Sequence, residues 1–266
     1  MNTNIAFIGT GKMGQALIKG LLDFGMSRSR LTAADADPKI RRAIAKSLPI
    51  RVTADNVAAA RGADIIVLAV KPQQLPEVIE GLAAHVSRRQ VVISIAAGIT
   101  LRWLEARLPG VPVVRVMPNL LVRVGLGFSA VARSQHTSAR HLAMARAVFE
   151  AVGIVAELPE RHFDAITAVS GSGPAYVFFL VKCWEEAARS LGLPAAAASD
   201  AIRQTLLGSA LLLQSHEPAQ QLIRQVASKK GTTEAALKVL ARRNVSAHFA
   251  EALRAAATRS KALSWS

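Results

Sequence analysis

IAFIGTGKMG, residues 5–14, decides the fold. Four apolar residues run into a glycine turn, and Gly9, Gly11 and Gly14 stand in the G-x-G-x-x-G spacing. Gly9 permits a tight turn, Gly11 lets backbone approach a pyrophosphate, and Gly14 lets a helix pack on the strand. A pyrophosphate there would meet the free N–H groups and positive dipole end of the helix that follows. Lys12 and Met13 complete the turn. Asp35 closes the next β-rich run, "LTAAD", about 20 residues past the turn, where a carboxylate accepts from the ribose hydroxyls of NAD and repels a 2′-phosphate. Asp35 or Asp37 also suits the start of the helix "DPKIRRAIAK", and Arg41 and Arg42 are available to a 2′-phosphate. The balance leans to NAD.

Working outward, further strands are expected at "DIIVLAV" (64–70), "QVVISIAAG" (90–98), "VVRVMP" (113–118), "GFSAVA" (127–132) and "IVAELP" (154–159). The central runs are continuously apolar, as parallel strands covered on both faces must be. Met13, Leu17, Leu21 and Phe24 repeat at helical spacing and stop at Gly25, and Thr100 is placed to cap "LRWLEARL". Alternating strand and helix signals imply a doubly wound, mostly parallel α/β sheet over residues 1–160. From 161 to 266 strand signals stop, and Pro174 and Pro194 suit the first turns of long helices, giving an all-helical second domain. "SGSGPAY" reads as a corner that ends one helix, turns through Gly171 and Gly173, and launches the next.

Composition narrows the function classes. The chain has 266 residues, 33 basic and 18 acidic, for a formal charge of +15 spread over both halves. Aromatics are 5% and no basic run exceeds two residues, so a specific nucleic-acid surface is not expected, whereas small anionic ligands are favoured. The longest apolar stretch, "PAYVFFLVKCW", is cut by Lys182 and reads as a buried helix, not a membrane span. With one cysteine, Cys183, no disulfide framework or cysteine metal cluster is expected, and the six histidines lack ligand spacing. The start of the chain has no secretory pattern, and a cytoplasmic protein is the expectation.

Strands three to five end in "AVKPQ", "AAG" and "MPN", so Lys71 and Asn119 fall where a nicotinamide should lie. In the helical half, "SKKGTT" (228–233) precedes the helix "EAALKVLARR". Its hydroxyls and N–H groups converge on a helix start, which suits a carboxylate; a simple cap by Thr232 or Thr233 is the structural alternative.

Taken in order, "FIGTGKMG", "LAVKPQ", "VVRVMPN", "ITAVSGSGPAYVF" and "VASKKGTTEAAL" resemble the pyrroline-5-carboxylate reductases across nearly the whole chain. The resemblance implies a Rossmann domain followed by a helical dimerisation domain, self-association through the C-terminal helices, and reduction of a cyclic imino acid to proline by NADPH or NADH. It places cofactor contacts on Gly9, Gly11, Gly14, Asn56, Ala69, Lys71 and Ala97, with Val70 and Pro72 beside Lys71. It places the substrate on Ser228, Lys230, Gly231, Thr232 and Thr233, with Ser172 and Gly173 adjoining. Thr233, at the ring nitrogen, and Lys71 are the candidates for chemistry. Three departures from the family pattern stand out: Lys12 for asparagine, Leu120–Leu121 for Thr-Pro, and Lys230 for glycine or another small residue, where a positive φ would strain lysine. The departures admit an imine reductase for another ring size, or a dinucleotide-binding paralogue without turnover. A β-hydroxyacid dehydrogenase shares "GTGKMG", but its interdomain lysine has no counterpart in "AYVFFLV".

Overall fold

The computed structural model describes residues 3–265. By internal contacts the chain forms two compact units, Met1–Ser172 with Ala255–Ser266, and Gly173–Arg254. The expected boundary at residue 160 falls at the start of a helical run, Glu160–Ser190, that passes from one unit into the other.

The first unit is built on one sheet. Its strands are β1 Ile5–Ile8, β2 Leu31–Ala34, β3 Arg51–Thr53, β4 Ile65–Leu68, β5 Val91–Ser94, β6 Val113–Pro118, β7 Gly127–Arg133 and β8 Gly153–Glu157. Their order is β3-β2-β1-β4-β5-β6-β7-β8, parallel throughout except where β7 pairs antiparallel with β6. The helices are α1 Lys12–Asp23, α2 Pro38–Ser47, α3 Asn56–Ala60, α4 Leu75–Ala83, α5 Leu101–Arg107, α6 Ala139–Glu150 and the short α7 Phe163–Ile166. The two-residue alternation of β1 explains the layers. Ile5 and Phe7 enter a core with Leu17 and Leu21 of α1 and Phe149 of α6, while Ala6 and Ile8 enter the opposite core with Ile79 of α4 and Leu104 of α5. Thr100 caps α5 as expected, its hydroxyl accepting from Trp103 N–H at 3.2 Å. Sequence reading missed β3, an edge strand of three residues that is only partly buried.

The chain end returns to this unit. Trp265 N–H donates to Gly98 O at 2.7 Å, the Thr100 hydroxyl donates to Trp265 O at 2.8 Å, and the Trp265 ring stands edge-on to Trp103. These contacts brace the connection that carries Ala97.

"SGSGP" is not a corner. Thr167–Gly171 forms a π turn between α7 and α8, Gly173–Ser190, so the helical run widens without breaking. Pro174 has no N–H for the carbonyl four residues back, and the wider turn, with Ser172 N–H bonded to Thr167 O at 2.8 Å, accommodates that loss. Gly171 lies close to β6: a Cβ there would stand 2.6 Å from Met117 Cε, the mobile end of a side chain that would have to shift.

The second unit contains α8, α9 Ala195–Leu213, α10 Ala219–Val226, α11 Thr232–Arg242 and the first part of α12 Val245–Ala262. Pro194 stands at the cap of α9, one residue before its first turn. The buried core of α8 and α9 is small: Ala188, Ala198 and Ile202. The expectation that "PAYVFFLVKCW" is buried is not met within one chain, since Val177, Phe178, Phe179, Leu180 and Trp184 are all exposed. By length and composition alone Glu160–Ser190 would pass for a membrane span. It also carries Arg161, Asp164, Lys182, Glu185, Glu186 and Arg189, so its apolar side calls for another protein surface.

Candidate active site

The first unit opens a cleft of about 650 Å³ at the carboxyl ends of β1, β2 and β4. Gly9, Gly11, Asp35, Asn56, Ala69, Val70 and Lys71 all line it, which brings together seven of the residues singled out from sequence. Gly9 has φ +82°, and a Cβ there would lie 2.5 Å from Val70 Cγ1, so the turn closes on β4 only with glycine. Gly14 is buried under the turn, where a Cβ would meet Gly9 O at 2.9 Å. At Gly11, by contrast, a Cβ would meet nothing within 4 Å, and no side chain caps the first turn of α1. Open space, uncapped N–H groups and a carboxylate at the end of β2 fit a dinucleotide.

The other expected cofactor residues lie off the cleft wall. Lys12 is exposed at the start of α1, and Met13 packs toward the hydrophobic core. Pro72 begins the 3₁₀ turn after Lys71, and Ala97 is exposed beyond β5. Asn119 is buried and occupied. Its Oδ1 accepts from Leu121 N–H (3.1 Å) and Phe128 N–H (3.3 Å), and its Nδ2 donates to Ser170 Oγ (3.1 Å). The turn carrying Leu120 and Leu121 is therefore held by Asn119.

The two aspartates divide the tasks that the sequence left open. Asp37 caps α2, accepting from Lys39 N–H at 2.7 Å. Asp35 accepts from Thr10 N–H (2.8 Å) and the Thr10 hydroxyl (3.0 Å) through Oδ2, and from Asp37 N–H (3.0 Å) through Oδ1. Asp37, expected only as a helix start, lines the cleft too, and Thr10, Ala36, Ile40, Asp55, Gln74, Glu77 and Val78 line it without having been foreseen. Only Thr10, inside the fingerprint, carried a signal that could have found it.

In the second unit, Ser228–Gly231 turns into α11. Lys230 has φ +59°, the left-handed conformation expected to strain a lysine, and its N–H donates to the Glu234 carboxylate. Glu234 also pairs with Lys238 Nζ at 2.6 Å. The Lys238 hydrogen bond, then the Lys230 N–H, then the Lys238 charge hold the Glu234 carboxyl below its ordinary range. Gly231 is the N-cap of α11 with no side-chain cap bond, so neither Thr232 nor Thr233 caps the helix. Among the described residues the hydroxyls of Ser228, Thr232 and Thr233 have no partner in the protein, and they stand with the uncapped N–H groups at one helix start. Ser172 and Gly173 lie in the helical run at the π turn. No cluster of three histidine, cysteine or acidic residues suited to a metal occurs among the described residues.

Comparison with known proteins covers the chain from end to end. Residues 160–263 match the pyrroline-5-carboxylate reductase dimerisation family, and residues 4–98 match the family described as NADP oxidoreductase, coenzyme F420-dependent. The pyrroline-5-carboxylate reductase of Pseudomonas aeruginosa is 41% identical over 97% of this chain and 96% of its own. That of Synechocystis is 36% identical over 99% of each. Among solved structures, a pyrroline-5-carboxylate reductase from Coxiella burnetii superposes with a TM-score of 0.94 at 35% identity, covering 100% of both chains. Pyrroline carboxylate reductase from Plasmodium falciparum with NADP bound gives 0.89 at 28% identity, over 99% of both.

Proposed function

The chain belongs to the pyrroline-5-carboxylate reductase family, and from that premise we propose which of its residues carry the reaction. It reduces 1-pyrroline-5-carboxylate to L-proline with NADPH or NADH, the last step of proline biosynthesis, and it dimerises through its C-terminal helices.

The bound nicotinamide supplies a hydride to the imine carbon. The chain's own work is to bind and orient. Gly9, Gly11 and the first turn of α1 take the pyrophosphate, Asp35 takes the adenosine ribose, and Ala69, Val70 and Lys71 border the path toward the nicotinamide. Residues 161–266 serve as the dimerisation and substrate domain. Ser228, Thr232 and the N–H groups at the start of α11 receive the substrate carboxylate, helped by the Lys230 ammonium. The Thr233 hydroxyl bonds the ring nitrogen and holds the protonated imine, the form that accepts hydride. No base, nucleophile or metal is needed, because a protonated imine is already electrophilic.

The observation that carries this reading is the set of three unpartnered hydroxyls at the uncapped start of α11. The test is oxidation of NADH and NADPH with the five-membered imino acid and its six-membered homologue. Turnover on the five-membered ring, with Thr233→Val losing kcat and Ser228→Ala raising KM, supports it. Cofactor binding without oxidation on either ring sinks it.

A further inference from the structure

We propose that this chain selects NADH over NADPH, with Asp35 and Asp37 as the residues that reject a 2′-phosphate. The inference rests on the reading of the β1–β2–β4 cleft as the cofactor site and adds the choice between two cofactors.

Asp35 follows β2 directly and lines the cleft, the position from which a carboxylate meets the adenosine ribose. Three donors fix it: Thr10 N–H and hydroxyl on Oδ2, and Asp37 N–H on Oδ1. Each carboxylate oxygen has two lone pairs, so Oδ1 can still accept from a ribose hydroxyl. What the carboxylate cannot do is swing away from an incoming phosphate, because the Thr10 that tethers it is fully buried in the fingerprint turn.

The candidate cations are not part of the cleft wall. Arg41 Nη1 donates to the backbone carbonyls of Asp35 (2.7 Å) and Ala36 (2.8 Å), and neither Arg41 nor Arg42 lines the cleft. The wall carries Asp35, Asp37, Asp55 and Glu77 against Lys71 alone, on a chain whose formal charge is +15. Asp37 and Asp55 are held in place as caps of α2 and α3. A phosphate monoester brings about −1.5 to −2 further charge at neutral pH to this acidic wall. A 2′-hydroxyl brings none, and donates to it.

Direct titration of the full chain with NADH and with NADPH, read by calorimetry without substrate, tests the preference. NADH is expected to bind at least tenfold tighter, about 1.4 kcal/mol. A smaller ratio, or any preference for NADPH, overturns the proposal. Binding of neither overturns the cofactor reading of the cleft and the preference with it. Asp37→Ser keeps a helix cap and removes one charge, so it should tighten NADPH several-fold and narrow the ratio between the two cofactors. An unaltered ratio in that variant removes Asp37 from the assignment.

Discussion

Asp35 Oδ2 lies 2.8 Å from the backbone nitrogen of Thr10 and 3.0 Å from its hydroxyl. One carboxylate oxygen thus ties the phosphate-binding turn to the end of the second strand, across 25 residues of sequence. Thr10→Val keeps the shape and the N–H bond and removes one hydrogen bond to a charged group. The expected loss is about 1–2 kcal/mol of stability, with NADH affinity weakened several-fold as the carboxylate loses a tether. Denaturant unfolding and a NADH titration measure both. Unchanged cofactor affinity would show that the tether does not matter to the site.

Asn119 invites a different test, because both the oxygen and the nitrogen of its carboxamide bond protein groups. Asn119→Ala strands the N–H groups of Leu121 and Phe128 in a partly buried setting and frees Ser170. A loss of about 2–4 kcal/mol follows if both donors stay dry. A variant of normal stability that binds cofactor poorly would instead restore Asn119 as a cofactor contact.

The legible parts of this fold are those encoded over short range. Continuous apolar runs bounded by turns located β1, β4 and β6, and the glycine spacing located the cleft. β3 was hidden because an edge strand of three residues, Arg51–Thr53, needs no apolar alternation. The π turn was hidden because glycine and proline together usually mark a corner, whereas here the Ser172 N–H bonds Thr167 O and the helical run continues. At the site, Asp35 and Asp37 could not be told apart from sequence, since either spacing suits a helix cap. The occupation of Asn119 depends on Phe128 and Ser170, which are remote in sequence.

Lys230 stands in the left-handed region at φ +59°, and its ammonium has no carboxylate partner among the described residues. Lys230→Gly relieves a backbone penalty of about 1 kcal/mol, offset in part by the added freedom of the unfolded chain. The expected result is a small rise in Tm together with a higher KM for the imino acid, because a cation beside the carboxylate is lost. A rise in Tm with unchanged KM would remove Lys230 from substrate binding.

Glu234 sets a pH dependence for the same loop. Its folded pKa is held below the ordinary 4.5, chiefly by the Lys238 hydrogen bond and then by the Lys230 N–H. A depressed carboxylate contributes stability above its unfolded pKa and loses it as pH falls through the folded value. Loop order should therefore hold down to the usual glutamate range and fade only at more acidic pH. Amide exchange of Lys230 against pH measures this. Glu234→Gln should remove the acid-dependent part, and an identical profile in that variant would assign it to another group.

Self-association follows from a face that the single chain cannot cover. Phe179 of α8 is 67% exposed, beside Phe178, while the buried core of α8 and α9 holds only Ala188, Ala198 and Ile202. Burying one such ring in a partner contributes about 1.5–3 kcal/mol, or roughly ten- to a hundredfold in the dimer constant. Phe179→Glu reverses that gain and adds the cost of desolvating a charge, so sedimentation should show a concentration-dependent shift toward monomer. Phe24 at the end of α1 is 68% exposed as well, but it lies outside the matched dimerisation segment. Phe24→Glu should leave the assembly intact. If the two variants sediment alike, whether both stay dimeric or both dissociate, the α8 face is not what joins the subunits.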